Sequence, residues 1–215
     1  MHNLDSIADK LLGDLAARNS ARDEALLSSR KLIRCCADAI RAIHREEKDG
    51  ASQLLATARE AAAEIRCKLA AYPDLYYAGY TQDAMKEYAE ARITYAIICD
   101  QALPEPAELG VETAAYLNGM AEATGELRRR VLDIIRHGQL AECERILAAM
   151  EEIYGILVTV DFPDALTGNL RRNTDMVRGV LERTRGDLTM AMRQGVLQQA
   201  LQSLENRLDS LQGRQ

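Results

Sequence analysis

The chain has 215 residues, of which 47% are hydrophobic and 28% are charged, a balance typical of a globular protein that buries a core. Its net charge of −6 argues against non-specific nucleic-acid binding over the whole surface, although a local basic face is still allowed. No run of 18 apolar residues occurs, and residues 1–15 lack the apolar stretch of a signal peptide, so we expect a cytoplasmic protein with no membrane partner.

The predicted elements follow from composition and from the positions of the prolines. Helix-favouring residues are abundant, whereas there is one Phe and no Trp. Proline ends helices because it lacks a backbone N–H, and the four prolines stand at 73, 104, 106 and 163. We predict helices at 4–18, 20–48, 51–71, 81–101, 111–137, 139–160 and 164–211. The chain is therefore predicted to be one all-α domain, 1–215, folded as a bundle of about seven helices.

Four residues mark boundaries of these helices. Ser20 and Thr81 each precede a helical segment and are predicted N-caps, because a hydroxyl can accept a bond from a free backbone N–H. Asp164, which follows a proline, is predicted to open the last helix. Gly50 is predicted to be the C-terminal cap of helix 20–48.

The helix predicted over 20–48 carries five cations on one side. At about 100° per residue they fall within about 60° of one another, and the apolar residues lie on a different side. These five, called the basic stripe, are Arg30, Arg34, Arg41, Arg45 and Lys48. Two interpretations stay open: the cations pair with carboxylates of neighbouring helices, or they bind a phosphate backbone. Since no aromatic residues alternate with them, the second interpretation implies phosphate contact without reading of the bases.

Two pairs of glutamates also have helical spacing. Glu87 and Glu90 are three residues apart and Glu122 and Glu126 are four apart, so each pair lies on one face of its helix. Four carboxylates from two helices offer the oxygen ligands that Mg²⁺ prefers, with Mn²⁺ as a substitute. Solvated faces of Glu-rich helices are the competing interpretation. A di-iron site is disfavoured because neither pair has a His at the offset that such sites use.

The residues around the second pair suggest an anionic substrate. Gly125 is costly inside a helix, so it is predicted to allow the close approach of another helix or of a ligand. Arg128 and Arg129, with Arg130 behind them, are predicted to hold a phosphate backbone. Because carboxylates repel phosphate, a metal ion must lie between the two.

Two further groups of residues have structural interpretations. The tyrosines at 72, 76, 77 and 80 surround Pro73, and we favour a packed joint between helices over a surface that stacks bases. Arg171 and Arg172 are predicted to pair with acids or to line a subunit interface.

Several short motifs resemble one protein family. Residues 87–91, EYAEA, are similar to the Glu-Tyr-x-Glu-Ala segment of Trax, and residues 124–128, TGELR, are similar to the family's Thr-Gly-Glu-Leu-x-Arg. The pairs Ser29-Arg30 and His44-Arg45 match Trax in spacing, and residues 180–188, VLERTRGDL, are similar to the closing segment of the family. By the order and spacing of these motifs, the sequence resembles the translin/Trax family, and Trax more than translin.

The resemblance implies a fold, an assembly and an activity. The family is all-α and forms octameric shells around nucleic acid; Trax is an Mg²⁺-dependent endoribonuclease, and translin is a nucleic-acid-binding partner without the full acidic set. Glu87 and Glu90 match the first acids of Trax, and Glu126 matches the acid of the Thr-Gly-Glu segment. Glu122 stands where Trax usually has Asp, which makes it the least secure of the four.

These observations lead to a specific expectation. The chain is expected to be a prokaryotic-type, archaeal-like member that binds and cleaves single-stranded RNA with four carboxylates and Mg²⁺, preferring RNA to DNA. A row of leucines at 197, 201, 204, 208 and 211 predicts contact with a partner subunit. The family resemblance implies that the assembly is a homo-oligomer, either an octamer or a half-shell. The alternatives are a non-catalytic, translin-like protein that binds single-stranded RNA or DNA, and a helical scaffold that binds only protein.

Overall fold

The computed structural model describes residues 3–212, and every regular element in that range is an α-helix. In chain order the elements are α1 (Leu4–His44), α2 (Lys48–Lys68), α3 (Pro73–Tyr76), α4 (Gly79–Ile98), α5 (Pro106–Leu109), α6 (Thr113–Ile135), α7 (Leu140–Leu157), α8 (Asp164–Thr167) and α9 (Leu170–Gln212). The all-α prediction is confirmed. Within the described residues six helices are long, and three single-turn helices lie at the joints that proline marks. None of these helices is long and apolar enough to cross a bilayer.

Helices α4 and α6 form the centre of the bundle. They pack against each other, with α1 and α2 on the outer side of α4 and with α7 and α9 on the outer side of α6. The middle of α1 buries residues spaced three or four apart, including Leu32, Cys36 and Ile43, which is the pattern of a helix with one apolar face. Helix α4 is buried around most of its circumference, and the side chain of Tyr88 is fully enclosed.

The close approach of α4 and α6 depends on Gly119. A Cβ atom at this position would lie 2.6 Å from the carbonyl oxygen of Lys86 and 2.9 Å from the backbone nitrogen of Glu90. The prediction that Gly125 allows a close helix contact was wrong, because that residue is exposed and a Cβ there would meet nothing within 4 Å. The two glycines are six residues apart, so they lie on different sides of the helix.

Several predicted boundaries were also wrong. Ser20 is not an N-cap, because α1 runs through it without interruption. Helix α1 ends at His44, where Glu46 adopts a positive φ of 64° and the chain turns into α2. Gly50 therefore lies in the first turn of α2 and caps nothing. Thr81 lies inside α4, where its hydroxyl donates a bond of 2.9 Å to the carbonyl oxygen of Leu75 in α3.

The last predicted helix is divided in two. Asp164 opens only the single turn α8, and the chain then passes through Gly168 and Asn169, whose φ angles are 57° and 64°. The long helix α9 begins after this corner. The corner places the start of α9 beside α6, which matters for the cleft described below.

The basic stripe is shortened by the end of α1. Only Arg30, Arg34 and Arg41 share one helix, since Arg45 caps α1 and Lys48 is the first residue of α2. The prediction of five aligned cations was therefore wrong. It assumed that one helix runs from Arg30 to Lys48. Instead the chain turns between α1 and α2, where Glu46 has a positive φ.

The two longest helices extend beyond the bundle. In α1 all residues up to Ser20 are exposed, and Leu12 is 65% exposed. Beyond Leu188 the side of α9 that carries the predicted leucine row is uncovered in this single chain, and Leu197 is 60% exposed. Leu211 lies outside the residues whose side chains are described. Oligomer contact through these extensions stays a prediction.

Candidate metal centre

Three of the four predicted acids meet between α4 and α6. One carboxylate oxygen each from Glu87, Glu90 and Glu122 can be chosen so that all lie within 4.8 Å of one another. We call these residues the glutamate triad. Gly119 lets the two helices approach closely one turn before Glu122, and this brings the α6 carboxylate to the α4 pair. Within the part of the chain that the structure describes, this is the one group of acids, cysteines or histidines with such geometry.

The triad holds more negative charge than its surroundings easily accept. Burial, followed by the charges of Glu87, Glu122 and Glu126, raises the pKa of Glu90 to about 8. The pKa of Glu87 is raised as well, mainly by burial, although the ammonium group of Lys86 opposes that rise. A divalent cation would relieve both effects, because it favours the ionised carboxylates. The donor set, which consists of carboxylate oxygens alone, fits a hard ion such as Mg²⁺.

Lys86 compensates part of this charge. Its Nζ atom lies 2.9 Å from Oε1 of Glu122, and both side chains are largely covered, at 22% and 28% exposure. A cation that binds the triad must therefore compete with an ammonium group for Glu122. Sequence spacing gave no signal for this contact, because Lys86 is adjacent to Glu87 and meets its partner only through the packing of α4 on α6.

Glu126 lies outside the triad and has a different partner. Its Oε2 atom is 2.6 Å from Nε2 of His44, whose side chain is only 3% exposed. This hydrogen bond is the main cause that lowers the pKa of Glu126, and burial acts in the opposite direction. The Nδ1 atom of His44 is buried without a hydrogen-bond partner among the described residues. The sequence singled out His44 only through the family resemblance, since nothing in its spacing indicated a buried contact with α6.

The cations of the basic stripe divide into two groups. Arg41 pairs with Asp38 on its own helix, and Arg45 is bound by Glu47 at 2.7 and 2.8 Å. Arg30, Arg34 and Lys48 are exposed, and no ion pair of theirs occurs within residues 3–212. Arg41 and Arg45 are therefore paired surface charges, whereas Arg30, Arg34 and Lys48 are available to a ligand.

The arginines that follow Glu126 are engaged to different degrees. Arg128 bridges α6 to α9 through Asp187 at 2.7 Å and Thr184 at 3.1 Å. Arg130 is buried and binds two acids, at 3.0 and 3.2 Å. Arg129 is half exposed and lies 3.8 Å from Glu126. Of these three, Arg129 has the freest guanidinium group.

A cleft of about 830 Å³ opens beside the triad. Lys86 and Glu122 line it, together with residues from the end of α3 and from the corner between α8 and α9. We call it the α4–α9 cleft. The ion pair of Lys86 and Glu122 is therefore also part of the wall of this cleft.

Comparison with known proteins connects this geometry to a family. No protein-family model matches the chain. The uncharacterized protein MJ0175 of Methanocaldococcus jannaschii is 37% identical over 180 residues, which is 83% of this chain and 79% of that protein. The structure of AfC3PO has 33% identity and a TM-score of 0.80, and that of the AfC3PO–duplex RNA complex has 34% and 0.76. Each of the two matches covers 86% of this chain and 96% of the AfC3PO chain.

A more distant structure extends the comparison of folds. Apo-NeC3PO has 22% identity and a TM-score of 0.78 over 86% of this chain and 96% of its own, and this supports the fold alone. The helical architecture and the order of the motifs define a translin/Trax-like protein. At 33–34% identity over nearly the whole length of AfC3PO, the chain belongs to the C3PO family, as the motifs at 87–91 and 124–128 predict.

Proposed function

We propose that the chain is an Mg²⁺-dependent endoribonuclease of the Trax type that binds and cleaves single-stranded RNA. The observation that carries this proposal is the meeting of Glu87, Glu90 and Glu122 between two central helices of a C3PO family member. An RNA substrate is supported by the relative AfC3PO, whose structure in complex with duplex RNA has the same fold. The preference for single strands rests on the family resemblance.

The glutamates have distinct roles in this proposal. Glu87, Glu90 and Glu122 would hold Mg²⁺, or Mn²⁺ in its place, and Lys86 would then give up its contact with Glu122. Glu126 is the fourth acid, which His44 holds close enough for its charge to act on Glu90. The bound ion would activate water and stabilise the charge that develops on phosphorus during cleavage.

The exposed cations provide the contacts to the RNA backbone. Arg30, Arg34 and Lys48 bind phosphates directly, since no acid pairs with them in the described part of the chain. Arg129 binds phosphate beside Glu126, from which its guanidinium group lies 3.8 Å away. Arg41, Arg45 and Arg128 contribute only by exchanging their present acidic partners for phosphate, so we assign them smaller shares.

One feature favours the non-catalytic alternative. Two of the four acids are bound by cationic or imidazole side chains, Glu122 by Lys86 and Glu126 by His44. If the contact between Lys86 and Glu122 persists in the presence of Mg²⁺, the triad holds no ion, and the chain acts as a translin-like protein that binds single-stranded RNA or DNA.

A cleavage assay tests both functions. Labelled single-stranded RNA and a duplex of the same sequence are incubated with the protein in Mg²⁺, Mn²⁺ or EDTA. We expect cleavage of the single strand with Mg²⁺ and none with EDTA. Glu90→Gln should lower the rate at least about a hundredfold, because it removes a proposed ligand. Glu60→Gln, an exposed acid of α2, serves as the control and should cleave normally.

The outcomes separate the hypotheses. Cleavage that persists in EDTA and in Glu90→Gln would remove the metal centre from the proposal. Binding of single strands without cleavage would favour the translin-like alternative. A protein that binds neither RNA nor single-stranded DNA at low salt would leave only the protein-binding scaffold.

A further inference from the structure

We infer that the α4–α9 cleft is a subsite for one nucleotide of the RNA strand, with Arg172 binding its phosphate and Tyr77 stacking on its base. The inference rests on the proposed function and specifies how the substrate enters the metal centre. The cleft has about 830 Å³, which is ample for a nucleotide. Because Lys86 and Glu122 line it, a strand held there lies directly beside the triad.

Arg172 is the anion-binding group of the cleft. It lies on the first turn of α9, it is exposed, and within residues 3–212 no carboxylate pairs with it. The sequence had predicted an acidic partner or a subunit contact for this residue. A free guanidinium group beside a phosphodiester-cleaving centre has the geometry for bidentate binding of a phosphate.

Tyr77 provides the stacking surface. Tyr77 as a whole is 62% exposed and lines the cleft, and its ring stands edge-on to that of Tyr76 with 5.0 Å between the centroids. Tyr76 thus supports the ring of Tyr77 from the side and leaves it accessible to solvent. Stacking on an exposed aromatic ring is a general, sequence-tolerant way to hold single-stranded bases.

The wall that carries Arg172 is tied to α6 by hydrogen bonds. Asn118 of α6 is buried, and its amide nitrogen donates bonds of 2.8 Å to Ala114 and 2.6 Å to Thr167. Its amide oxygen accepts a bond of 2.8 Å from Asn173. These bonds fasten the corner between α8 and α9 to α6, so the helix turn with Arg172 keeps its position relative to Glu122 on the same helix as Asn118. A preformed subsite lowers the entropic cost of binding.

The charges of the cleft favour one phosphate over a continuous backbone. Asp83 and Glu112 also line it, so its cations, Lys86 and Arg172, do not form an unbroken basic track. The exposed cations of the basic stripe on α1 are better suited to following a backbone. The cleft therefore selects a single phosphate and its base.

Two neighbouring arginines make a matched test. Binding of a fluorescein-labelled single-stranded octaribonucleotide is measured by anisotropy in EDTA, so that cleavage plays no part. Arg172→Gln should weaken binding about fivefold or more and lower the salt dependence by about one phosphate contact. Arg171→Gln removes the same charge from the adjacent position, which does not line the cleft, and should weaken binding less than about twofold. Tyr77→Leu should weaken binding about fivefold or more without changing the salt slope.

The result can overturn the inference without overturning the proposed function. If Arg171→Gln and Arg172→Gln bind equally while the wild type cleaves RNA, the subsite is wrong and the endoribonuclease stands. If the wild type binds no RNA, both fall. If Arg172→Gln weakens the binding of a free mononucleotide but leaves that of the octaribonucleotide unchanged, the cleft is a site for small nucleotides, and its role in the RNA strand is overturned.

Discussion

Glu87 and Glu90 on α4 and Glu122 and Glu126 on α6 have the same one-turn spacing, but the two pairs meet different partners. Both acids of α4 enter the triad, whereas α6 contributes only Glu122, and Glu126 turns to His44 at the end of α1. Spacing determines which face of a helix a carboxylate occupies. The neighbouring helix determines what it contacts there, and α6 has α4 beside one of its acids and α1 beside the other.

Among the substitutions that test how α4 and α6 meet, Gly119→Ala should have the largest effect on stability. The added Cβ would meet the backbone of Lys86 and Glu90 at 2.6 and 2.9 Å, so α4 and α6 must move apart. Overpacking of this kind costs about 1–3 kcal/mol of unfolding free energy. Urea denaturation measures the loss, and the stabilisation by Mg²⁺ should disappear with it because the triad opens. A Gly119→Ala variant that is as stable as the wild type and is still stabilised by Mg²⁺ would contradict the close approach of α4 and α6.

Substituting one acid of α6 at a time tests whether Glu122 and Glu126 contribute differently to Mg²⁺ binding. Glu122→Ala should weaken Mg²⁺ binding at least about tenfold, equivalent to about 1.4 kcal/mol, since it removes a triad oxygen. Glu126→Ala should weaken it less, because that carboxylate is bonded to His44. Isothermal titration with Mg²⁺ and with Mn²⁺ provides the measurement. Equal losses would mean that Glu126 leaves His44 and joins the ion.

The sequence predicted the faces of the acids better than their contacts. Helical periodicity was sufficient to place Glu87 and Glu90 together, because both lie on one helix. The contacts of Lys86 with Glu122 and of His44 with Glu126 span 36 and 82 residues and arise only when helices pack. The same holds for the glycines of α6, since nothing in the local sequence distinguishes Gly119, which faces α4, from exposed Gly125. The end of α1 was missed because Glu46, not a glycine, adopts the positive φ.

The charge within the triad should make stability depend on pH. Burial and its acidic neighbours raise the pKa of Glu90 from an ordinary 4.5 to about 8. A carboxyl group with a higher pKa in the folded state favours folding while it is protonated, and this contribution is fully present below about pH 4.5 and lost as the pH rises through about 8. In EDTA, Glu90→Gln should therefore be more stable than the wild type, by a margin that grows between these pH values.

Thermal unfolding at several pH values, with Glu60→Gln as the exposed control, measures this margin. Mg²⁺ should reverse the order of stability, because it stabilises the wild type and has little to bind in Glu90→Gln. An ion at a concentration of 100 times its Kd contributes about 2.7 kcal/mol. If the difference in stability between Glu90→Gln and the wild type does not change with pH, Glu90 is ionised in the folded protein over this whole range. Its pKa would then not be raised by burial and by the other charges of the triad.

The smallest effect is expected from a substitution at Gly125, where the sign of the change in unfolding free energy is the test. Gly125→Ala places a methyl group where nothing lies within 4 Å, so it should stabilise α6 by about 0.5–1 kcal/mol through helix propensity. Urea denaturation beside Gly119→Ala would then give opposite signs for the same substitution six residues away. If a ligand approaches α6 at Gly125, the alanine variant should bind the octaribonucleotide more weakly despite its higher stability. Unchanged binding would mean that no ligand approaches α6 at Gly125, which does not line the α4–α9 cleft.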